Sequence, residues 1–431
     1  MVQNTTLGNT TDASGTFTIA VPEGSYSLSI SFIGFQQKII NDIIVVRNKT
    51  YYFETELFND VLTLKEVTVS NFKNENNRVM PVSTYSFSRE EIFRSPGAQG
   101  DIFRAIGILP GVSSSGGQFS AISVRGQGIR DNVYMVDDIP MLEVSHLEGS
   151  GSGFNDPNGG RFSIFAPRVI DNAAFQGGGF AAQYGRKSSS YLGLGIKEGN
   201  KETPSFSGQF DLLGATLIYD GPGYFDKKTS VFATARYQNF YLLTKLVGLK
   251  NVGLPVYGDY MIKTTTQLGP KNKLSILAMY NPESYEKTID HVKESDKDKM
   301  EDVSIINTEN NKALFGLNLR TLTSKNSYWK NVVYYRILRS NATLGTSFPA
   351  ADANGGFADK NDIPYEAGVR EIKNNQTELG YRSIFTKHIK NTTVTAGVDF
   401  ARVDMDYSRR LKRTDTLYSF MVTDIRPSSS Q

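Results

Sequence analysis

Residues 122–141 read ISVRGQGIRDNVYMVDDIPM. Two short strand-like runs, VRG and NVYMVDD, are joined by a glycine turn, and the second is as apolar as a core strand. Yet the same stretch carries Arg125, Arg130, Asp131, Asp137 and Asp138. Burying such charges without partners is costly, so this segment needs oppositely charged groups from elsewhere in the chain. An acid pair at Asp137-Asp138 is the chemical reading of those two carboxylates; a turn is the structural one.

The elements on either side are also legible. Upstream, Ser88-Arg-Glu-Glu91 has capping-box spacing, in which the Ser oxygen and the Glu carboxylate satisfy N–H groups at a helix start. A second helix is expected over AQGDIFRAIGIL, residues 98–109, with Ile102, Phe103, Ile106 and Leu109 on one face and Pro110-Gly111 as its stop. Downstream lies a Gly- and Ser-rich loop (149–160), followed by short strands in the run from Arg168 to Asn200.

The chain ends differ in pattern. In TDASGTFTIAVPEGSYSLSISFIGF, residues 11–35, Phe17 and Ile19, then Tyr26, Leu28, Ile30 and Phe32 alternate between turn residues. Two more β-rich runs follow in residues 39–57, which suggests a small β-sandwich. From residue 205 onward the period is two. Val231, Ala233, Ala235 and Tyr237 alternate with Phe232, Thr234, Arg236 and Gln238, and Leu379, Tyr381 and Phe385 with Glu378, Arg382 and Thr386. About nine strands are expected: 205–212, 214–220, 229–243, 258–269, 272–284, 309–323, 328–343, 374–388 and 392–410. Short turns (GPGYFDKK, GPKNK, SKNS, HIKN) alternate with long connections near 244–257, 285–308 and 344–373. Short turns at one end and long loops at the other are the pattern of a transmembrane barrel; a large soluble sheet is the alternative, since it also alternates.

Composition narrows the function classes. The formal charge is +3, from 47 basic and 44 acidic residues, which gives no basic excess for nucleic acid. With no cysteine there is no disulfide or thiolate metal site, and His146, His291 and His388 lack ligand spacing. No cofactor or metal is expected. KESDKDKMED, residues 293–302, reads as a solvated loop rather than a calcium site, and no nucleophile–base constellation stands out. The start, MVQNTTLGNT, has neither the basic nor the apolar part of a signal peptide.

Four motifs in order resemble the plug of TonB-dependent outer-membrane receptors: DIFRAIGILPGV (101–112), the opening stretch, IDNAAFQGGGFAAQYG (170–185) and SSSYLGLGIKEGN (188–200). Asp138 departs from the family's usual Gly, and LGLGIKEGN is looser than its usual last strand. The N-terminal pattern TD.SG.F...VP.G.Y.L..S.IGF resembles the carboxypeptidase-regulatory-like sandwich that precedes many Bacteroidetes receptors of this kind, with its first strand cut off.

The resemblance implies a mostly β chain: a β-sandwich (1–61), a linker (62–70), a mixed α/β plug (71–200) and the first, incomplete part of an antiparallel transmembrane β-barrel (201–431). The family's barrel has about 22 strands, so the chain reads as the N-terminal portion of a longer protein. LTLKEVTVS, residues 62–70, stands where the family carries the TonB box, with Leu64, Glu66, Val67, Thr68 and Val69 suited to strand addition; a sandwich strand or plain linker is the alternative. Arg125, Gly126, Asp137 and Asp138 would form the plug core, its charges pairing with one another or with the barrel's interior. Phe154, Arg161 and Phe162, in the plug's apex loop, would touch ligand.

The expected function is binding of an extracellular ligand and its import across the outer membrane with energy from the TonB protein, without chemistry on the substrate. The alternative is a surface-binding or scaffold protein on the same fold. The implied partners are TonB, an extracellular ligand, outer-membrane lipid and, optionally, a surface lipoprotein, with no nucleic acid. An enzyme would rest only on the name of the N-terminal domain.

Overall fold

The computed structural model describes residues 1–2, 5–12, 15–22, 24–32, 38–45, 84–98, 100–114, 122–147, 160–178, 184–185, 188–223, 228–248, 253–269, 271–293, 304–324, 327–347, 365–389 and 392–411. Near the N-terminus, β1 (Gly24–Ile30) and β2 (Lys38–Val45) form an antiparallel pair, and Val2 bridges to Leu28. Val2, Leu28 and Ile43 are buried beneath Phe17, Ile19 and Tyr26, three of the residues whose alternation marks this unit in the sequence. The expected strand run at 51–57 lies outside the described residues.

The middle of the chain is a five-stranded mixed sheet with two short helices. The strands are β3 (Thr84–Ser88), β6 (Asn132–Val136), β7 (Ile139–Met141), β10 (Ile170–Gln176) and β11 (Ser190–Ile196), in the order β3-β10-β11-β6-β7. Only β11 and β6 run parallel. Two hairpins flank the sheet: β4 (Val112–Ser114) with β5 (Ile122–Val124), and β8 (Ser145–His146) with β9 (Phe162–Ser163). Helix α1 (Arg89–Arg94) starts on the capping box: Glu91 N–H donates to Ser88 Oγ at 3.3 Å and Ser88 N–H to Glu91 Oε2 at 2.7 Å. Helix α2 (Ile102–Gly107) is shorter than the 98–109 expected. Gly100, at φ +79°, lies against Pro167, and Asp101 caps the helix by accepting from Phe103 N–H at 2.8 Å.

The C-terminal half is one antiparallel sheet of nine strands in sequential order. They are β12 (Ser205–Phe210), β13 (Gly214–Pro222), β14 (Thr229–Asn239), β15 (Leu254–Gly269), β16 (Asn272–Lys287), β17 (Ser304–Ser324), β18 (Ser327–Ser347), β19 (Tyr365–Ile389) and β20 (Thr392–Leu411). All nine expected strands are present. Several boundaries are corrected: the strand expected to reach residue 243 ends at Asn239, where helix α3 (Tyr241–Val247) begins the connection to β15, and the strands expected from 258, 309 and 374 begin earlier, at Leu254, Ser304 and Tyr365. The run YLLTKLV satisfies either period, and Gly248, left-handed at φ +67°, ends it as a helix does. A fourth helix, α4 (Ile289–Lys293), lies between β16 and β17. Among the described residues β12 and β20 are the sheet's two edges.

The period of two has a physical outcome. Along β14, Ser230, Phe232, Thr234, Arg236 and Gln238 are buried, whereas Tyr237 faces out. The outer faces of successive strands present Tyr260, Tyr280, Val333, Tyr335, Leu379 and Tyr381, all exposed. The inner faces cover the mixed sheet: Phe232, Met261, Leu277, Leu314 and Tyr334 join Phe103, Tyr134, Ile139 and Leu192 in one core. Gly316 leaves no room for a Cβ beside Ile139, so the small residue lets the mixed sheet lie close against the wall. No helix among the described residues is long and apolar enough to cross a membrane.

Candidate functional site: the seam between mixed sheet and wall

The two aspartates of the opening stretch form the β6–β7 turn. Asp137 (φ +48°) and Asp138 (φ +68°) are both left-handed, the geometry of a two-residue hairpin, which Asp tolerates better than most residues. That backbone holds their carboxylates against the wall. The Asp137 carboxylate lies 2.8 Å from Lys263 Nζ and accepts from Ile196 N–H at 3.0 Å. Asp138 accepts from Lys330 Nζ at 2.7 Å, and Asn318 donates to the Asp137 carbonyl at 3.2 Å. Burial pushes the Asp137 carboxyl above its ordinary pKa, and Lys263 opposes that shift. Glycine would adopt φ +68° without strain; at Asp138 the ion pair with Lys330 offsets the left-handed backbone.

A second cluster centres on His146, which is fully buried. Its Nδ1 lies 2.6 Å from Glu283 Oε2 and its Nε2 lies 2.7 Å from Asp259 Oδ1. Ionised carboxylates only accept hydrogen bonds, so both ring nitrogens donate and the ring is an imidazolium. Burial alone would lower the His146 pKa, but Asp259 and Glu283 outweigh it and raise the value. Arg236 and Asn281 also donate to Asp259, at 2.6 and 2.8 Å, while Asn310 donates to Glu283 at 2.7 Å. The Tyr257 ring stacks on the imidazole at 4.4 Å between centroids.

At five points the wall donates to carbonyls of the mixed sheet and its hairpins, whereas His146, Lys197 and Asn200 donate the other way, to Asp259, Glu283 and Asp220. Arg236 donates to Ser163 O at 2.6 Å, Lys263 to Ile196 O at 2.6 Å and Lys312 to Ser145 O at 2.5 Å. Arg336 donates to Pro140 O at 2.5 Å and Arg382 to Asp138 O at 3.0 Å. Glu143 adds a carboxylate 3.4 Å from Lys312. Charge-assisted hydrogen bonds of this kind are stronger than neutral ones. The arrangement is therefore suited to holding two bodies together and to binding.

The expected site residues are dispersed over this architecture. Asp137 and Asp138 lie in the seam. Arg125 (φ +53°) and Gly126 (φ +75°) form the turn after β5, and the Arg125 guanidinium lies over Gly178, where a Cβ would meet Nη1 at 3.1 Å. Phe162 packs 5.3 Å from Phe240 and 5.4 Å from Tyr257, between ring centroids. Exposed Arg161 donates its N–H to His146 O at 3.0 Å. Phe154 and the segment holding Leu64, Glu66, Val67, Thr68 and Val69 lie outside the described residues. Sequence reasoning missed His146, Asp259, Lys263, Glu283, Lys312 and Lys330. The usable signal was the charge at the inward positions of alternating strands, as at Arg236, Glu378 and Arg382.

Comparison with known proteins identifies the two N-terminal parts. Residues 1–69 match the CarboxypepD_reg-like domain, and residues 76–190 match the TonB-dependent Receptor Plug Domain. The mixed sheet is thus a plug domain of the TonB-dependent receptor type. No curated protein matches it in sequence. Among solved structures it is similar to P. aeruginosa FpvA bound to heterologous pyoverdines (14% identity, 78% of this chain and 44% of that one, TM-score 0.55). It is also similar to the ferric-catecholate import receptor Fiu of E. coli K12 (13% identity, 76% and 50% coverage, TM-score 0.52). A third is BauA, the ferric preacinetobactin receptor of Acinetobacter baumannii (10% identity, 76% and 48% coverage, TM-score 0.52). At these identities the likeness is one of fold: a plug inside a barrel, of which this chain has nine strands. The chain spans half or less of the length of each of these structures.

Proposed function

We propose that this chain supplies the plug and nine barrel strands of an outer-membrane receptor that imports an extracellular ligand with energy from TonB. The observation that carries the reading is the seam. The barrel wall grips the plug through hydrogen bonds and ion pairs at Lys263, Lys312, Lys330, Arg336 and His146. Polar groups at such a seam can exchange protein partners for water or for a passing solute when the plug is pulled, whereas a wholly apolar contact would lose burial with no replacement. The exposed aromatic residues on the outer face suit the bilayer interface, where Tyr and Trp place an apolar ring and a polar tip.

In this reading the 64–69 segment is the handle. It closes the first matched domain and stands just ahead of the plug match that begins at residue 76. Val67, Thr68 and Val69 supply a β-branched strand that a sheet edge of TonB can add. The chain contains no cysteine, so a single introduced one is unique within it. Val67→Cys in the receptor, expressed in the outer membrane beside a TonB bearing one cysteine, is expected to give a disulfide-linked product. That product should disappear when 64–69 is deleted while the receptor still assembles. Equal cross-linking with the segment deleted would remove the handle from those residues. Absence of any cross-link along 64–69 would leave a receptor that binds without energised transport. Arg161 and Phe162, beside the buried Tyr257, are proposed as the ligand-facing edge of the plug, together with Phe154.

A further inference from the structure

Helix α3, in the connection between β14 and β15, carries an apolar face that the plug does not cover. Phe240, just ahead of its first residue, packs on the plug side, 5.3 Å from Phe162 and 6.3 Å from Tyr257 between ring centroids. With about 3.6 residues per turn, Leu243 and Thr244 share that side of the helix, and Thr244 is buried. Leu242 and Leu246, one turn apart, fall on the opposite side and are 52% and 66% exposed. Tyr241 and Lys245 form a second pair one turn apart beside them, both exposed, with Lys245 Nζ 5.7 Å from the centre of the Tyr241 ring. The side that looks away from the plug is therefore two leucines edged by an aromatic ring and a cation.

Strand length sets the height of this helix. In an outer-membrane barrel short turns lie at the inner end and long loops at the outer end, so β14 rises from the short connection after β13 to α3. Its 11 residues are what one tilted strand needs to cross the apolar band, and α3 begins where the outer interface falls. The tyrosines mark the same height. Tyr237, Tyr260 and Tyr280 are exposed on the outer faces of β14, β15 and β16, and Tyr260 stacks on Tyr280 at 6.3 Å between centroids. Tyr237 pairs with Gly258, two residues from Tyr260, and lies two residues, roughly 7 Å, before the end of β14. A row of tyrosines is what a membrane barrel places at its interface. Leu242 and Leu246 follow that row at the level of the headgroups, where an amphipathic helix buries its apolar side and holds basic residues toward anionic groups.

We infer, on the reading above that the outer face of the wall meets lipid, that α3 docks on the outer leaflet around the barrel. Leu242 and Leu246 enter the acyl boundary, and Lys245 holds an anionic headgroup. The chain has no cysteine, so a nitroxide can be attached at one introduced thiol. The full receptor carries Leu242→Cys, Leu246→Cys or, on the outer face of β15, Tyr260→Cys. Each variant is labelled and placed in phosphatidylcholine vesicles with and without phosphatidylglycerol, and a heat-modifiable band on a gel verifies its fold. Collisions of the nitroxide with oxygen, which concentrates in lipid, and with a water-soluble nickel chelate report its depth. At all three positions oxygen is expected to exceed nickel severalfold. Phosphatidylglycerol should raise the ratio further at Leu246→Cys, and adding Lys245→Gln should abolish that increment. Free access of nickel to both α3 positions, with the Tyr260→Cys label still in lipid, would overturn the docking and leave the reading of the wall intact. Shielding of the α3 labels from both reagents would overturn it too, and would put a second copy or a partner protein on this face. Free access of nickel to the Tyr260→Cys label would overturn the lipid-facing wall, and this inference with it. An increment that is absent, or that survives Lys245→Gln, would remove the anionic headgroup from the site.

Discussion

Strands β6 and β14 are both apolar runs that lie against charge, and they are buried in opposite ways. Every residue of β6 is buried. On one face Tyr134 meets Phe103 at 5.8 Å between ring centroids, and on the other Val133 and Met135 pack with Tyr191. β14 alternates, with Phe232 1% exposed and Tyr237 49% exposed. A strand covered on both faces has to send its charge to its ends, which is why Asp137 and Asp138 form the turn after β6. A strand covered on one face can carry charge at every second position, as β14 does with Arg236. The seam forms where these two arrangements meet: charge at the tip of a two-sided strand reaches charge on the inner face of one-sided strands.

Three substitutions or conditions would sharpen that contrast. The largest effect is expected at the two-sided core. Phe103→Ala removes a ring that is 0% exposed, and should cost about 3–5 kcal/mol of stability. It should be read as a lower temperature for conversion of the folded to the unfolded gel band. An effect no larger than that of an exposed substitution would mean that β6 is not held as described. Next comes the one-sided wall. Val332 is 1% exposed and Val333, its neighbour, 42%. If the outer face meets lipid, Val333→Arg should cost roughly 2–4 kcal/mol. Lys at the same place in detergent and in lipid provides the control, and indifference to the lipid would place this face in water.

The smallest effect is expected at His146. Its pKa is raised in the folded protein, so its contribution is complete below the unfolded value of about 6.5 and is lost as pH rises through the raised value. Loss of the proton removes one charge-assisted hydrogen bond, worth about 1.5–3 kcal/mol. Urea unfolding of the plug followed against pH should show this alkaline decline in the native receptor and lack it in His146→Gln. The same slope in both would assign the decline to other groups.

The sequence showed much of the fold because two signals in it are local. The capping box at Ser88 and Glu91 and the helix around Ile102, Phe103 and Ile106 are set by neighbours a few residues away. The barrel strands are set by a period of two over long stretches. The β14 end was misread because YLLTKLV alternates acceptably and also makes a helical turn, and only the left-handed Gly248 beyond it separates the two. The seam was partly visible. Asp137 and Asp138 demanded partners, but nothing local to them named Lys263 or Lys330, which lie more than a hundred residues away. His146 gave no signal at all. A single histidine becomes an imidazolium only when Asp259 and Glu283, on neighbouring strands, converge on its two nitrogens.

One feature of the wall has a geometric result. Its strands lengthen along the chain, from 6 residues in β12 through 11 in β14 and 16 in β16 to 25 in β19. At about 3.4 Å per residue, that is a change from roughly 20 Å to roughly 85 Å along the strand. An apolar band about 25 Å tall needs only a fraction of the longer ones. Strands β17, β18 and β19 are therefore far longer than such a band requires, while β12 only just matches it.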